Sequence, residues 1–145
     1  MGCRVHVVKR QREYGNTSSF NYSMEEFVNL LSELGCEVSQ VEGDYHFCET
    51  DVNEFKRAIK IFERYIKNIL DGNNNRKAFI SSMKKLNIAE EDMWYDEEDF
   101  FESMTDILTH LEKENNDDPK YLLGVLKDYL KERDKKSGWI QFEMF

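Results

Sequence analysis

The chain has 145 residues, 40% hydrophobic and 34% charged, with a net charge of −9. That length can bury a core of its own, and the composition excludes a disordered chain. No apolar run is long enough to span a bilayer, and Arg4, Lys9, Arg10 and Arg12 break any signal-peptide core.

The expectation is one domain, residues 1–145, in the cytoplasm, or in the host cytoplasm if the chain is viral. Three cysteines, odd in number and without a CxxC pair, suit free thiols in a reducing compartment. The start Met1-Gly2-Cys3 carries His6 where an N-myristoylation signal needs a hydroxyl residue, so Cys3 is read as a buried strand residue.

Cys3 to Val8 alternates and is β-branched, which predicts a strand. Gln11 to Tyr22 is polar and reads as a loop. Ser23 with Glu26 three residues on is a capping box, followed by Phe27, Leu30, Leu31 and Leu34 at helical spacing and by Gly35 as a stop. Cys36 to Val41 and Tyr45 to Glu49 read as two strands about a Glu42-Gly43-Asp44 turn. Thr50 or Asp51 caps the next helix, whose apolar stripe is Val52, Phe55, Ile59, Phe62, Ile66 and Ile69. Gly72 and three asparagines end it.

A helical run follows with Phe79, Ile80, Met83 and Leu86. Another helix begins near Asp96, with Phe100, Met104, Ile107, Leu108 and Leu111 on its apolar face and acidic residues in its first turn. Asp118 as cap and Pro119 at the first helical position start the last helix, with the stripe Leu122, Val125, Leu126, Tyr129 and Leu130. After Gly138, Trp139 to Phe145 alternates as a terminal strand. The fold class is therefore α+β. A small mixed or antiparallel sheet of about four strands, with both terminal strands in it, packs against four to five helices. Residues 1–50 and 139–145 form the sheet-rich part, and residues 51–136 a helical layer or subdomain.

The charge is divided. Glu90 to Asp118 holds thirteen acidic residues and one basic residue, Lys113, or −12 in 29 positions, while the rest of the chain sums to +3. Val52 to Lys85 goes the other way, with nine basic and three acidic residues. A charge run is commonly a solvated face. Here, however, Glu90, Glu91 and Asp92 are followed by Met93, Trp94 and Tyr95, and these by Asp96, Glu97, Glu98 and Asp99, with Glu102 beyond. Carboxylates flanking large aromatics describe an anionic surface with adhesive anchors, suited to a basic protein.

The segment Asp92-Met93-Trp94-Tyr95-Asp96-Glu97-Glu98-Asp99-Phe100-Phe101 resembles the acidic, Trp-containing helix of phage DNA-mimic antirestriction proteins. The resemblance covers these ten residues, and the strands read above depart from the mostly helical fold of the best-known member. It implies charge mimicry of nucleic acid against a nucleic-acid-binding target. The chain is also similar in kind to phage anti-defence and bacterial immunity proteins, which are often small, acidic and without catalytic residues.

Sites of chemistry are sparse. His46 and Cys48 share a strand face by spacing, and Cys36 and His6 could join them as zinc ligands or as a Cys-His pair, but the spacing fits no zinc pattern. Asp71 to Asn75 is no calcium loop, since its glycine is misplaced and Ser82 stands where a glutamate is needed. There is no phosphate-cradling glycine loop and no GxSxG. His110 reads as a surface or boundary residue. Arg4, His6, Lys9, Arg10 and Arg12 with Tyr14 form a small basic and aromatic patch able to meet a phosphate.

The expectation is a non-enzymatic binding or inhibitory protein with no cofactor, no metal and no membrane. Its partner-binding residues are Glu90, Glu91, Asp92, Trp94, Tyr95, Asp96, Glu97, Glu98, Asp99 and Glu102. The partner is a basic protein surface, such as the nucleic-acid-binding site of a defence protein, and the acidic face does not itself bind DNA. The alternative is a small nucleotide- or metal-binding protein or enzyme using the sheet His/Cys residues or the basic N-terminal patch.

Overall fold

The computed structural model describes residues 4–10, 13–15, 20, 23–67, 97–115 and 118–145. In chain order the elements are β1 (Val5–Arg10), β2 (Glu13–Tyr14), α1 (Met24–Glu33), β3 (Ser39–Val41) and β4 (Asp44–Asp51). They continue with α2 (Val52–Tyr65), α3 (Glu97–Asn115), α4 (Pro119–Glu132) and β5 (Trp139–Met144). The fold is α+β, as the sequence predicts. The helix predicted around Phe79 to Leu86, the helix stop at Gly72, and Cys3 lie outside the described residues.

Local chemistry sets the helix ends. The Glu26 N–H donates to Ser23 Oγ (3.2 Å), and that hydroxyl donates to Glu26 Oε1 (3.1 Å), which caps α1. At the other end the Cys36 N–H donates to the Leu31 carbonyl (2.9 Å) and the Gly35 N–H to that of Ser32 (3.0 Å). This is a Schellman closure, and it needs the left-handed φ of 93° that Gly35 adopts. The closure also corrects the predicted strand from Cys36. The Cys36 amide is committed to the helix end, so β3 starts only at Ser39. Asp51 rather than Thr50 caps α2, accepting from the amides of Asn53 (2.8 Å) and Glu54 (3.1 Å). Thr50 is fully buried and donates to the Glu37 carbonyl (2.8 Å). Asp118 Oδ1 accepts from the Tyr121 amide (2.8 Å) beside Pro119, as the sequence implies for α4.

The sheet order is β2-β1-β5-β4-β3, with each neighbour pair antiparallel. The four longer strands form its body, and two-residue β2, inside the stretch predicted as loop, extends it past β1. The terminal strands pair directly, through Val5 with Met144, His6 with Glu143 and Val7 with Phe142. The hairpin of β3 and β4 turns on Glu42 and Gly43, both at positive φ (54° and 71°). A two-residue turn with that handedness matches strand twist, and Gly43 takes it without a Cβ clash.

One sheet face is covered. Val5, Val7, Cys48, Thr50, Ile140 and Phe142 are buried there. The core cluster joins these apolar strand residues to Phe27, Leu30 and Leu31 of α1, Phe55 and Phe62 of α2, Met104 of α3 and Leu126 of α4. Among the described residues, no helix is long and apolar enough to cross a membrane.

Candidate functional site

α3 carries the described part of the acidic stretch. Phe100, Met104, Leu108 and Leu111 recur at helical spacing and are buried, and Ile107 packs partly against the core. The Phe100 ring meets the Tyr65 ring edge-on (5.9 Å, 86°), and the Tyr65 hydroxyl lies 3.3 Å from Thr105 Oγ1. With that side held down, Glu102, Asp106, Glu112 and Glu114 are all exposed. From Glu102 to Glu114 they span about 18 Å of helix axis.

Of the residues predicted to bind a partner, Glu102 is thus on the solvent face. Glu97, Glu98 and Asp99 form the first turn of α3, described as backbone, where carboxylates suit the helix dipole. Glu90, Glu91, Asp92, Trp94, Tyr95 and Asp96 lie outside the described residues.

The other sheet face holds a second group. His6 stacks on Phe145 (4.1 Å, 12°), and Tyr14 meets Phe145 edge-on (5.0 Å, 68°). The Tyr14 hydroxyl donates to Glu143 Oε1 (3.0 Å), and Gln141 Nε2 donates to Glu49 Oε1 (3.0 Å). Phe145 is 61% exposed and Trp139 49%. Burial, then the charge of Arg4, pulls the His6 pKa below its ordinary value, while Glu143 opposes the shift. The basic patch read from Arg4, His6 and Tyr14 therefore has a carboxylate in its midst. Lys9 is exposed, whereas the Arg10 side chain and Arg12 lie outside the described residues. The alternation of Trp139, Gln141, Glu143 and Phe145 was the signal for this face, and it places Glu143 beside His6 only once β5 is paired with β1.

The four sheet His/Cys residues are not brought together. Cys48 pairs with inward Phe142, while His6 pairs with outward Glu143, so they occupy opposite faces. Cys48 Sγ sits 3.3 Å from Met24 Sδ, and Cys36 Sγ donates to the Glu54 carbonyl (3.6 Å). Burial, followed by Glu49 at Cys48 and by Glu54 at Cys36, pushes both thiols up to about 12. Such thiols are poor nucleophiles and poor ligands at neutral pH. A Cys3→Ser variant should accordingly resist a disulfide reagent at about pH 8 while folded and release two thiols in denaturant. Fast native labelling would show that these cysteines are reachable.

Among the described residues, one set of metal-ligating side chains converges, Glu26, His110 and Glu114. His110 is exposed, in keeping with its reading as a surface residue, but its contact with Glu26 of α1 was not read from the sequence.

Compared with known proteins, the chain matches no family model, no curated protein and no solved structure.

Proposed function

We propose that the protein is a non-enzymatic binding or inhibitory protein whose acidic helical half engages a cationic site on a macromolecular partner. The partner would be a nucleic-acid-binding protein, such as a defence nuclease, and the acidic side chains would stand in for phosphates. The supporting observation is α3, whose described carboxylates Glu102, Asp106, Glu112 and Glu114 face solvent while its apolar side is buried. A packed helix holds charges in fixed relation, which a disordered tail cannot do. The charge of the whole segment, −12 over 29 residues, would steer a basic partner and speed its capture. Trp94 and Tyr95 would supply the short-range apolar contacts. On this reading the protein acts in the cytoplasm.

The alternative, a nucleotide- or metal-binding protein built on the sheet His/Cys residues or the N-terminal patch, draws less support. Its thiols are buried with raised pKa values, and Glu143 sits beside His6.

The partner is to be sought by cross-linking and mass spectrometry. Neutralising Asp96, Glu97, Glu98 and Asp99 together should then slow association and flatten its salt dependence. Trp94→Ala should speed dissociation, with a loss of about 2 kcal/mol or more if Trp94 is a hot spot. Binding undiminished by both changes at moderate salt would reduce the acidic stretch to a solvated face.

A further inference from the structure

We propose that Glu26, His110 and Glu114 form a site for a divalent transition metal ion of the zinc class, clipping α1 to α3. Their ligand atoms, one from each side chain, all lie within 4.8 Å of one another. Glu26 is in the first turn of α1, where the cap hydroxyl of Ser23 holds its Oε1 (3.1 Å). That leaves Glu26 Oε2 turned away. It is shielded from solvent and makes no hydrogen bond, although it lies 3.3 Å from His110 Nε2. One helical turn beyond His110, Glu114 Oε1 lies 3.5 Å from the same nitrogen.

A protonated imidazole is the competing explanation, and the geometry counts against it. Nε2 carries one N–H, which the two carboxylates could share only as a bifurcated bond, weaker to each than a direct one. Charge-assisted N–H···O bonds run at about 2.7–2.9 Å, and both separations are longer. They match instead the edge of a tetrahedron with bonds of about 2.0–2.1 Å, which is near 3.3 Å. With the Glu26 and Glu114 oxygens also within 4.8 Å of each other, a cation between them would draw all three atoms to bonding distance and satisfy the shielded carboxylate oxygen.

Two carboxylates and a neutral imidazole carry a charge of −2, matching a divalent ion. A mixed nitrogen and oxygen set suits zinc and its transition-metal neighbours, whereas magnesium and calcium call for more oxygen ligands. The side chains of His110 and Glu114 are 56% and 48% exposed and that of Glu26 27%, so an ion can enter from solvent and keep a fourth position for water. His110 and Glu114 at a spacing of four sit on one helix face by sequence alone, and the fold adds Glu26.

The test is calorimetric titration of the chelator-stripped chain with zinc chloride at about pH 7.5. The expected result is one ion per chain, with affinity reduced roughly tenfold or more in His110→Ala and in Glu114→Gln, and a melting temperature raised by zinc only in the wild type. No binding at ~100 µM zinc, far above the working range of a protein zinc site, would overturn the proposal. So would equal binding by wild type and His110→Ala, which would place the ion on the acidic stretch. Cobalt gives a readout on the wild type alone. Visible d–d bands without sulfur charge transfer support the site, and sulfur charge transfer contradicts it. None of these outcomes involves the macromolecular partner.

Discussion

A chain ending at Gly138 is expected to lose its cooperative thermal transition. The seven residues removed are not a tail. β5 pairs with β1 on one side and, from Phe47 with Glu143 to Asp51 with Trp139, with β4 on the other. Without it the sheet splits between β1 and β4. Ile140 and Phe142 are fully buried, and the Phe142 ring contacts those of Phe27 (4.7 Å), Phe55 (5.5 Å) and Tyr129 (5.6 Å). Phe142→Ala alone should cost about 3–5 kcal/mol, against a total stability of about 5–15 kcal/mol for an ordinary domain. Circular-dichroism melts of both variants check this. A truncated chain that melts like the intact one would remove β5 from the centre of the sheet.

Tyr129→Phe is expected to destabilise the protein by about 1–3 kcal/mol for each backbone group it leaves unpaired. The buried Tyr129 hydroxyl donates to the Val5 carbonyl and accepts from the Phe20 amide (2.7 Å). It thereby ties α4 to β1 where the Val5 amide also donates to the Phe20 carbonyl (3.0 Å). Phenylalanine keeps the ring contacts with Phe27 and Phe142 and deletes only this polar link. Burial raises the phenol pKa above its ordinary value near 10, an effect that the bond from Phe20 partly offsets. A folded-state pKa raised above the unfolded one gives stability that is present below about pH 10 and lost as pH rises toward the folded value. The gap between wild type and Tyr129→Phe in urea denaturation should hence be constant from neutral pH to about 9 and shrink above 10. A gap that widens with alkali would contradict the assigned partners.

What could be read from the sequence was local chemistry. Ser23 with Glu26, Gly35, Glu42-Gly43, and Asp118 with Pro119 each act within a few residues, and each does in the structure what its type and position imply. The apolar stripes of α2, α3 and α4 were legible for the same reason, since helical period alone marks the buried side. Pairing between distant strands was legible only in outline: both terminal strands were expected in one sheet, as they are, but strand order and register were not. Alternation marked Trp139 to Phe145 as a strand, yet its place between β1 and β4 depends on contacts across more than eighty residues. His6 and Cys48 both belong to the sheet, but only register separates their faces. β2 was invisible because two polar residues carry no period, and β1 supplies its bonds. Glu26 and His110 meet only because α1 packs on α3.

Competition with nucleic acid separates charge mimicry from a merely solvated acidic face. Once a cross-linked partner is in hand, its complex with the wild-type chain is challenged with duplex DNA at moderate salt, beside the variant neutralised at Asp96, Glu97, Glu98 and Asp99. The expected result is displacement by DNA in proportion to its concentration, with little complex formed by the variant at any DNA level. A wild-type complex indifferent to DNA and formed equally well by the variant would contradict charge mimicry.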